Sequence, residues 1–191
     1  TDSTPTITNC TMTQNYERAI YCQGATSLNV TNCLFTANTA DIGGAIYFDE
    51  TTAILINCIF RSNFTEGRLG RSGGAIRAYD STLTFTHCTF QDNHAESGGG
   101  AMNAHDCQLV FAGCLFEGCS APNSAALCFS ETYGSGSRLT DCLFVGNFNC
   151  YTSYEGHYGG TIWTAHGTMV LTNCVFAGNR ALERAGALYP N

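Results

Sequence analysis

The chain has 191 residues, 44% of them hydrophobic and only 12% charged, about half of ordinary usage, with a net charge of −7 and arginine as its sole basic residue. An acidic, lysine-free chain argues against a nucleic-acid partner, and no run of apolar residues is long enough for a membrane-spanning helix. No signal peptide is visible from Thr1, and the twelve cysteines include no CxxC pair and no zinc-like Cys/His spacing, so no metal or cofactor is expected.

The first element, residues 4–10 (TPTITNC), reads as a strand running into a bend. The same unit returns more completely at 31–48, TNCLFTANTADIGGAIYF, and recurs along the chain. Anchored on its cysteine it occurs at Cys10, Cys33, Cys58, Cys88, Cys114, Cys142 and Cys174, with spacings of 23, 25, 30, 26, 28 and 32 residues. Such short, variable periods suit a solenoid whose loops differ while its strands stack.

The columns of this alignment define the elements. Three places before the cysteine stand Ile7, Val30, Leu55, Phe85, Phe111, Leu139 and Leu171. Two places after it stand Met12, Phe35, Phe60, Phe90, Phe116, Phe144 and Phe176. Strand alternation turns both columns inward, and an inward cysteine beside a bend acts as a small apolar filler. Immediately before the cysteine are Asn9, Asn32, Asn57, His87, Gly113, Asp141 and Asn173, residue types that tolerate positive φ, so a tight bend is predicted there. Three places after the phenylalanine column stand Asn15, Asn38, Asn63, Asn93, Asn147 and Asn179, with Cys119 in the fifth coil; turned inward, these amides would stack as a ladder. A glycine-rich corner then leads into a third strand with Ile20, Ile46, Ile76, Met102, Leu127, Ile162 and Leu188 inward. Three short strands per coil, with the same residue at the same bend seven times, predict one all-β domain over 1–191: a parallel β-helix, or β-solenoid, of about seven three-strand coils.

The pairing of GGAI (43–46 and 73–76, with GGAM at 99–102 and GGTI at 159–162) and FxxN (35–38, 60–63, 90–93, 144–147 and 176–179) resembles the repeats of chlamydial polymorphic outer-membrane proteins and similar right-handed β-helix surface proteins. The resemblance implies a right-handed β-helix and a role as a surface adhesin or exported passenger; the membrane barrel that exports such proteins has no counterpart in these residues. The asparagine column is also similar to the ladder of pectate-lyase-like helices, which keeps a polysaccharide lyase or hydrolase as an alternative.

Chemistry would have to come from outward residues. The outward column of the third strand is Tyr21, Tyr47, Arg77, Asn103, Cys128, Trp163 and Tyr189, without a carboxylate. Asp49, Glu50 and Asp80 lie near its far end but form no pair, and His105, Asp106 and His166 read as turn residues, so no catalytic acid–base set is assigned. Tyr21, Tyr47, Trp163 and Tyr189 form candidate aromatic contact sites, with glycans as a ligand class, against the plain β-propensity of aromatics. Leu34, Ile59, Leu115, Leu143 and Val175, flanked by Ile54, Val110 and Val170, form an outward aliphatic stripe that a partner or a loop should cover.

Many cysteines and no lysine fit an extracellular or cell-surface location. Four cysteines outside the repeated column, Cys107, Cys119, Cys128 and Cys150, gather near the irregular fifth coil and are the expected disulfide formers, with open connectivity. The sequons offer glycosylation at Asn29, which faces outward, and at Asn9 and Asn63 if their side chains do. An uncapped β-helix exposes strand edges at both ends. The leading functional expectation is therefore a non-enzymatic subunit of an extracellular filament assembled head to tail; the alternative is a segment of a longer surface solenoid.

Overall fold

The computed structural model describes residues 4–24, 27–66, 72–130, 136–150, 159–182 and 185–190. These residues contain strands and turns and no helix. The strand before each bend builds the first sheet, in the stacking order Thr6–Thr8, Ser27–Thr31, Thr52–Ile56, Thr82–Thr86, Gln108–Ala112, Ser137–Thr140 and Met169–Thr172. The strand after each bend builds the second: Thr11–Thr13, Leu34–Thr36, Ile59–Arg61, Thr89–Gln91, Leu115–Glu117, Leu143–Val145 and Val175–Ala177. The third holds Ile20–Gln23, Ile46–Asp49, Ile76–Tyr79, Met102–His105, Leu127–Ser130, Ile162–Ala165 and Leu188–Pro190. Each strand pairs in parallel with its equivalents one coil before and after, so the chain winds as a right-handed parallel β-helix.

The register follows the columns. Phe60 opposes Phe35 and Phe90, and Ile76 opposes Ile46 and Met102. In-register pairing puts like on like. The phenylalanines of the second sheet form one stack from Phe35 to Phe176, with centroids 4.6–4.9 Å apart and planes within 7°. Five of them, Phe35, Phe60, Phe90, Phe116 and Phe144, are fully buried, each contributing about 2 kcal/mol of burial. In the first and last coils the equivalent residues Ile7, Met12, Ile20, Leu171, Phe176 and Leu188 are only partly buried.

All seven bend residues have positive φ, from 52° at Asn32, Asn57 and His87 to 62° at Gly113. A second bend follows the second sheet at Gln14, Ala37, Ser62, Asp92, Gly118, Gly146 and Gly178, again all at positive φ. Its residue types share no preference, so no sequence signal marked it. It turns the next residue inward, and that residue is the ladder asparagine. Asn63 shows the pattern: its Oδ1 accepts from the backbone N–H of Asn38 (3.1 Å) and from Asn38 Nδ2 (3.0 Å). Its own Nδ2 donates to Phe35 O (3.0 Å) and Asn93 Oδ1 (3.0 Å). Buried amides are tolerated because every polar atom is used.

Beyond the ladder the strands continue for two residues more than the three-strand reading expects. Thr39–Ala40 pairs with Phe64–Thr65, and Ser120–Ala121, Phe148–Asn149 and Arg180–Ala181 form a three-stranded ribbon. The glycine-rich corner comes next. A Cβ on Gly74 would lie 2.2 Å from Gly100 O and 2.4 Å from His94 O, so the close approach of the next coil dictates glycine there.

Candidate interaction surfaces

The repeated cysteine is a structural thiol. Cys58 Sγ donates to Ile56 O in its own coil (3.4 Å) and reaches Val30 O in the preceding one (3.6 Å). Cys33, Cys88, Cys114, Cys142 and Cys174 repeat both contacts. Cys10 has no preceding coil and keeps only its own, to Thr8 O (3.3 Å).

The expected disulfides among Cys107, Cys119, Cys128 and Cys150 are not present, and all twelve cysteines are free thiols. The reason is columnar. Cys107 sits under the corner between third and first sheets, donating to His105 O. Cys119 takes the ladder position and donates to Phe90 O and Glu117 O. Cys128 lies on the outer side of the third sheet beside Trp163, and Cys150 follows the strand Phe148–Asn149. Proximity in sequence does not bring these columns face to face. Burial pushes the thiols of Cys107, Cys119 and Cys128 up to about 12, so they stay protonated at neutral pH.

Cys119 also explains how the fifth coil tolerates losing its asparagine. Its thiol donates to Phe90 O (3.5 Å), as a ladder amide donates to the coil before, and its N–H donates to Asn147 Oδ1 (3.0 Å). The thiol keeps the donor role of the missing amide.

The aromatic column of the third sheet divides in two. At one end Tyr21 is exposed and stacks on Tyr47 at 5.1 Å and 4°. The row then steps sideways to Tyr79 (6.0 Å) and His105 (5.9 Å). Arg18 lies 5.7 and 5.6 Å from the Tyr21 and Tyr47 ring centroids. Arg77 covers Tyr79 at 4.2 Å and is hydrogen-bonded to Ser72, Asn103 and the Tyr79 hydroxyl. Because Tyr21 and Tyr47 stack on each other, one face of each ring is covered. At the other end Trp163 is buried, contrary to its expected exposure, and packs with Cys128, Ala165 and the half-buried Tyr189. Strand alternation fixes its side of the sheet, and its neighbours on that side are themselves third-sheet residues.

Asp49 accepts from the Gln23 amide (3.0 Å), and Asp106 faces its neighbour His105 at 2.9 Å. Glu50, Asp80, Asp106 and His166 share the positive-φ corner column. No group of three metal-ligating side chains occurs among the described residues.

On the aliphatic stripe Ile59, Leu143 and Val175 are exposed, while Leu34 and Leu115 are half-buried. Ile54 and Val170 add exposed apolar surface on the first sheet. The bend column between these sheets carries a second amide ladder, unforeseen from the sequence and open to solvent: Asn32 Nδ2 donates to Asn9 Oδ1 (3.2 Å) and Asn57 Nδ2 to Asn32 Oδ1 (3.2 Å). Of the three sequons, Asn9 is exposed and Asn29 half-buried on the outer side. Asn63 is buried with its amide fully engaged, which leaves no room for a glycan.

No helix of the described residues is long and apolar enough to cross a membrane. The family described as right handed beta helix region matches residues 1–116 and 39–189, and the chain belongs to it. The chain is also similar to the metabotropic glutamate receptor-like protein R of Dictyostelium discoideum, with 28% identity over 158 residues. That match covers 80% of this chain and 9% of the relative's length. No solved structure matches.

Proposed function

We propose that this right-handed β-helix is a non-enzymatic structural rod of an extracellular or cell-surface protein, built so that its end coils stack on further coils. The observation that carries the reading is the state of the first and last coils. Their core residues Ile7, Met12, Ile20, Leu171, Phe176 and Leu188 are half-covered, and their strands present unpaired edges in all three sheets. A surface setting is supported by the printed name of the receptor-like relative, by the lysine-free composition and by the resemblance to chlamydial surface repeats. Two arrangements cover the edges: more coils of the same polypeptide, as in a long adhesin or passenger, or copies assembled head to tail into a filament. Against a lyase or hydrolase stand the scattered carboxylates, each bonded to a structural neighbour where a partner is seen.

Labelling intact source cells with a membrane-impermeant carboxylate-directed reagent tests the location. The protein should be tagged without lysis. Tagging only after lysis, or release of unsaturated or reducing sugars from pectin-like polymers by the pure chain, would overturn the reading.

A further inference from the structure

We propose that Asn29 carries an N-linked glycan and that this glycan covers the aliphatic patch around Ile54. The inference rests on the extracellular setting of the rod reading and names what shields one of its faces.

The three sequons differ in what their residues already do. N-glycosylation needs the asparagine Nδ2 and the hydroxyl two residues on to be presented together. In an extended strand, residues two apart share a face. Asn29 and Thr31 both lie in the strand Ser27–Thr31, half-buried on its outer side, while Leu28 and Val30 between and beside them are buried. The column neighbours of Asn29 are Thr6 in the coil before and Ile54 in the coil after, so no amide ladder holds its side chain. With a coil on each side, its accessibility does not depend on an open end. Asn9 is different: it stands at positive φ in the bend, its Oδ1 accepts from Asn32, and the bend carries its threonine, Thr11, onto the second sheet. Asn63 is buried with its amide bonded on both sides, and a glycan there would break the inner ladder.

The surface beside Asn29 gives a sugar something to cover. Ile54 is 43% exposed although it lies between two strands, with Asn29 on one side and Thr84 on the other. Ile56 is the next outward residue of the same strand, and Ile59, 37% exposed, follows across the bend. Asn29 opposes Ile54 and Thr31 opposes Ile56, so sequon and patch form one block of the first sheet. One strand spacing, about 4.8 Å, separates the asparagine from Ile54, within the span of a first sugar ring. The C–H face of a pyranose packs on branched aliphatic side chains while its hydroxyls keep the outer side wet. A bare patch of this kind on a flat sheet invites lateral association, and the glycan closes that side of the rod. In the modification Asn29 Nδ2 bonds to the anomeric carbon of an oligosaccharide carried on a lipid diphosphate. The lipid diphosphate leaves with the anomeric oxygen, and the amide gives up one proton.

The test is peptide mass mapping of the protein isolated from its source cells, after an N-glycosidase that converts glycosylated asparagine to aspartate in heavy-oxygen water. Asn29 should appear as labelled aspartate. Asn29→Gln, secreted from the same glycosylating host as the wild type, should bind severalfold more of an apolar fluorescent dye with unchanged far-UV circular dichroism. Adding Ile54→Thr to that variant should return dye binding toward the level of the glycoprotein. Unmodified Asn29 in protein that surface reagents label on intact cells overturns the proposal and leaves the rod reading standing; unmodified Asn29 in protein tagged only after lysis overturns both. Dye binding that Asn29→Gln does not raise, or that Ile54→Thr does not lower, places the sugar away from the patch and overturns the proposed cover.

Discussion

Asn63→Ala removes one rung of the inner ladder, and its cost follows from the bonds it breaks. The substitution takes the acceptor from the Asn38 backbone N–H and one of two acceptors from Asn38 Nδ2, which keeps Met12 O at 3.0 Å. It also takes the donor from Phe35 O. The Asn63 backbone N–H retains Asn93 Oδ1 at 2.9 Å. The Asn38 N–H is left without an acceptor in a buried site, at about 1–3 kcal/mol, while Phe35 O keeps its sheet bond from the next strand, so the loss should be about 2 kcal/mol. Asn63→Cys should recover about half of it, because a thiol can donate to the carbonyl of the coil before, as Cys119 does to Phe90 O in the fifth coil. Urea unfolding gives the comparison, followed by far-UV circular dichroism and by fluorescence of Trp163, the sole tryptophan. A loss below about 1 kcal/mol for Asn63→Ala, or a cysteine variant no better than alanine, would refute the reasoning that ladder bonding holds the coils in register.

Completing the ladder with Cys119→Asn should stabilise the protein by about 1 kcal/mol, the net worth of an added buried hydrogen bond, measured by the same urea midpoints. Gly74→Ala should cost about 3 kcal/mol or more, since its Cβ would meet two backbone oxygens within 2.4 Å; a soluble, native-like variant contradicts the corner geometry. Thiol titration should find twelve reactive groups after denaturation and only the exposed and half-exposed ones, Cys10, Cys22, Cys150 and Cys174, reacting readily in the native state. The raised thiols of Cys107, Cys119 and Cys128 fix the sign of the alkaline response. Their folded values of about 12 exceed the reference of 9.0, so the folded state holds more protons above pH 9. Stability should be full below pH 9 and fall as pH rises toward 12, visible as declining urea midpoints; a flat profile over that window contradicts their burial. Expressed through a glycosylating secretory host, the chain should carry glycan at Asn29 or Asn9 and none at Asn63, read by peptide mass.

The interior of the coil was legible because stacking demands the same residue repeatedly. Cys58, Phe60 and Asn63 each belong to a column that repeats with few exceptions, and each does there what its column suggested. The second bend was not legible, because Gln14, Ala37 and Ser62 hold a positive φ that the strands on either side impose rather than their own preferences. The exterior was harder for a different reason. Alternation places Trp163 and Cys128 on the outer side of the third sheet, and that position alone does not tell that they are buried there with Ala165. The same limit misled the disulfide reading: Cys107, Cys119, Cys128 and Cys150 are close in sequence, and only their columns reveal that they point in different directions.

Whether open coils stack end on end is visible by electron microscopy of the purified chain. Seven coils at about 4.8 Å predict rods that lengthen in steps of about 34 Å at constant width. Particles of a single size at all concentrations, or assemblies that grow in width instead, would contradict such stacking.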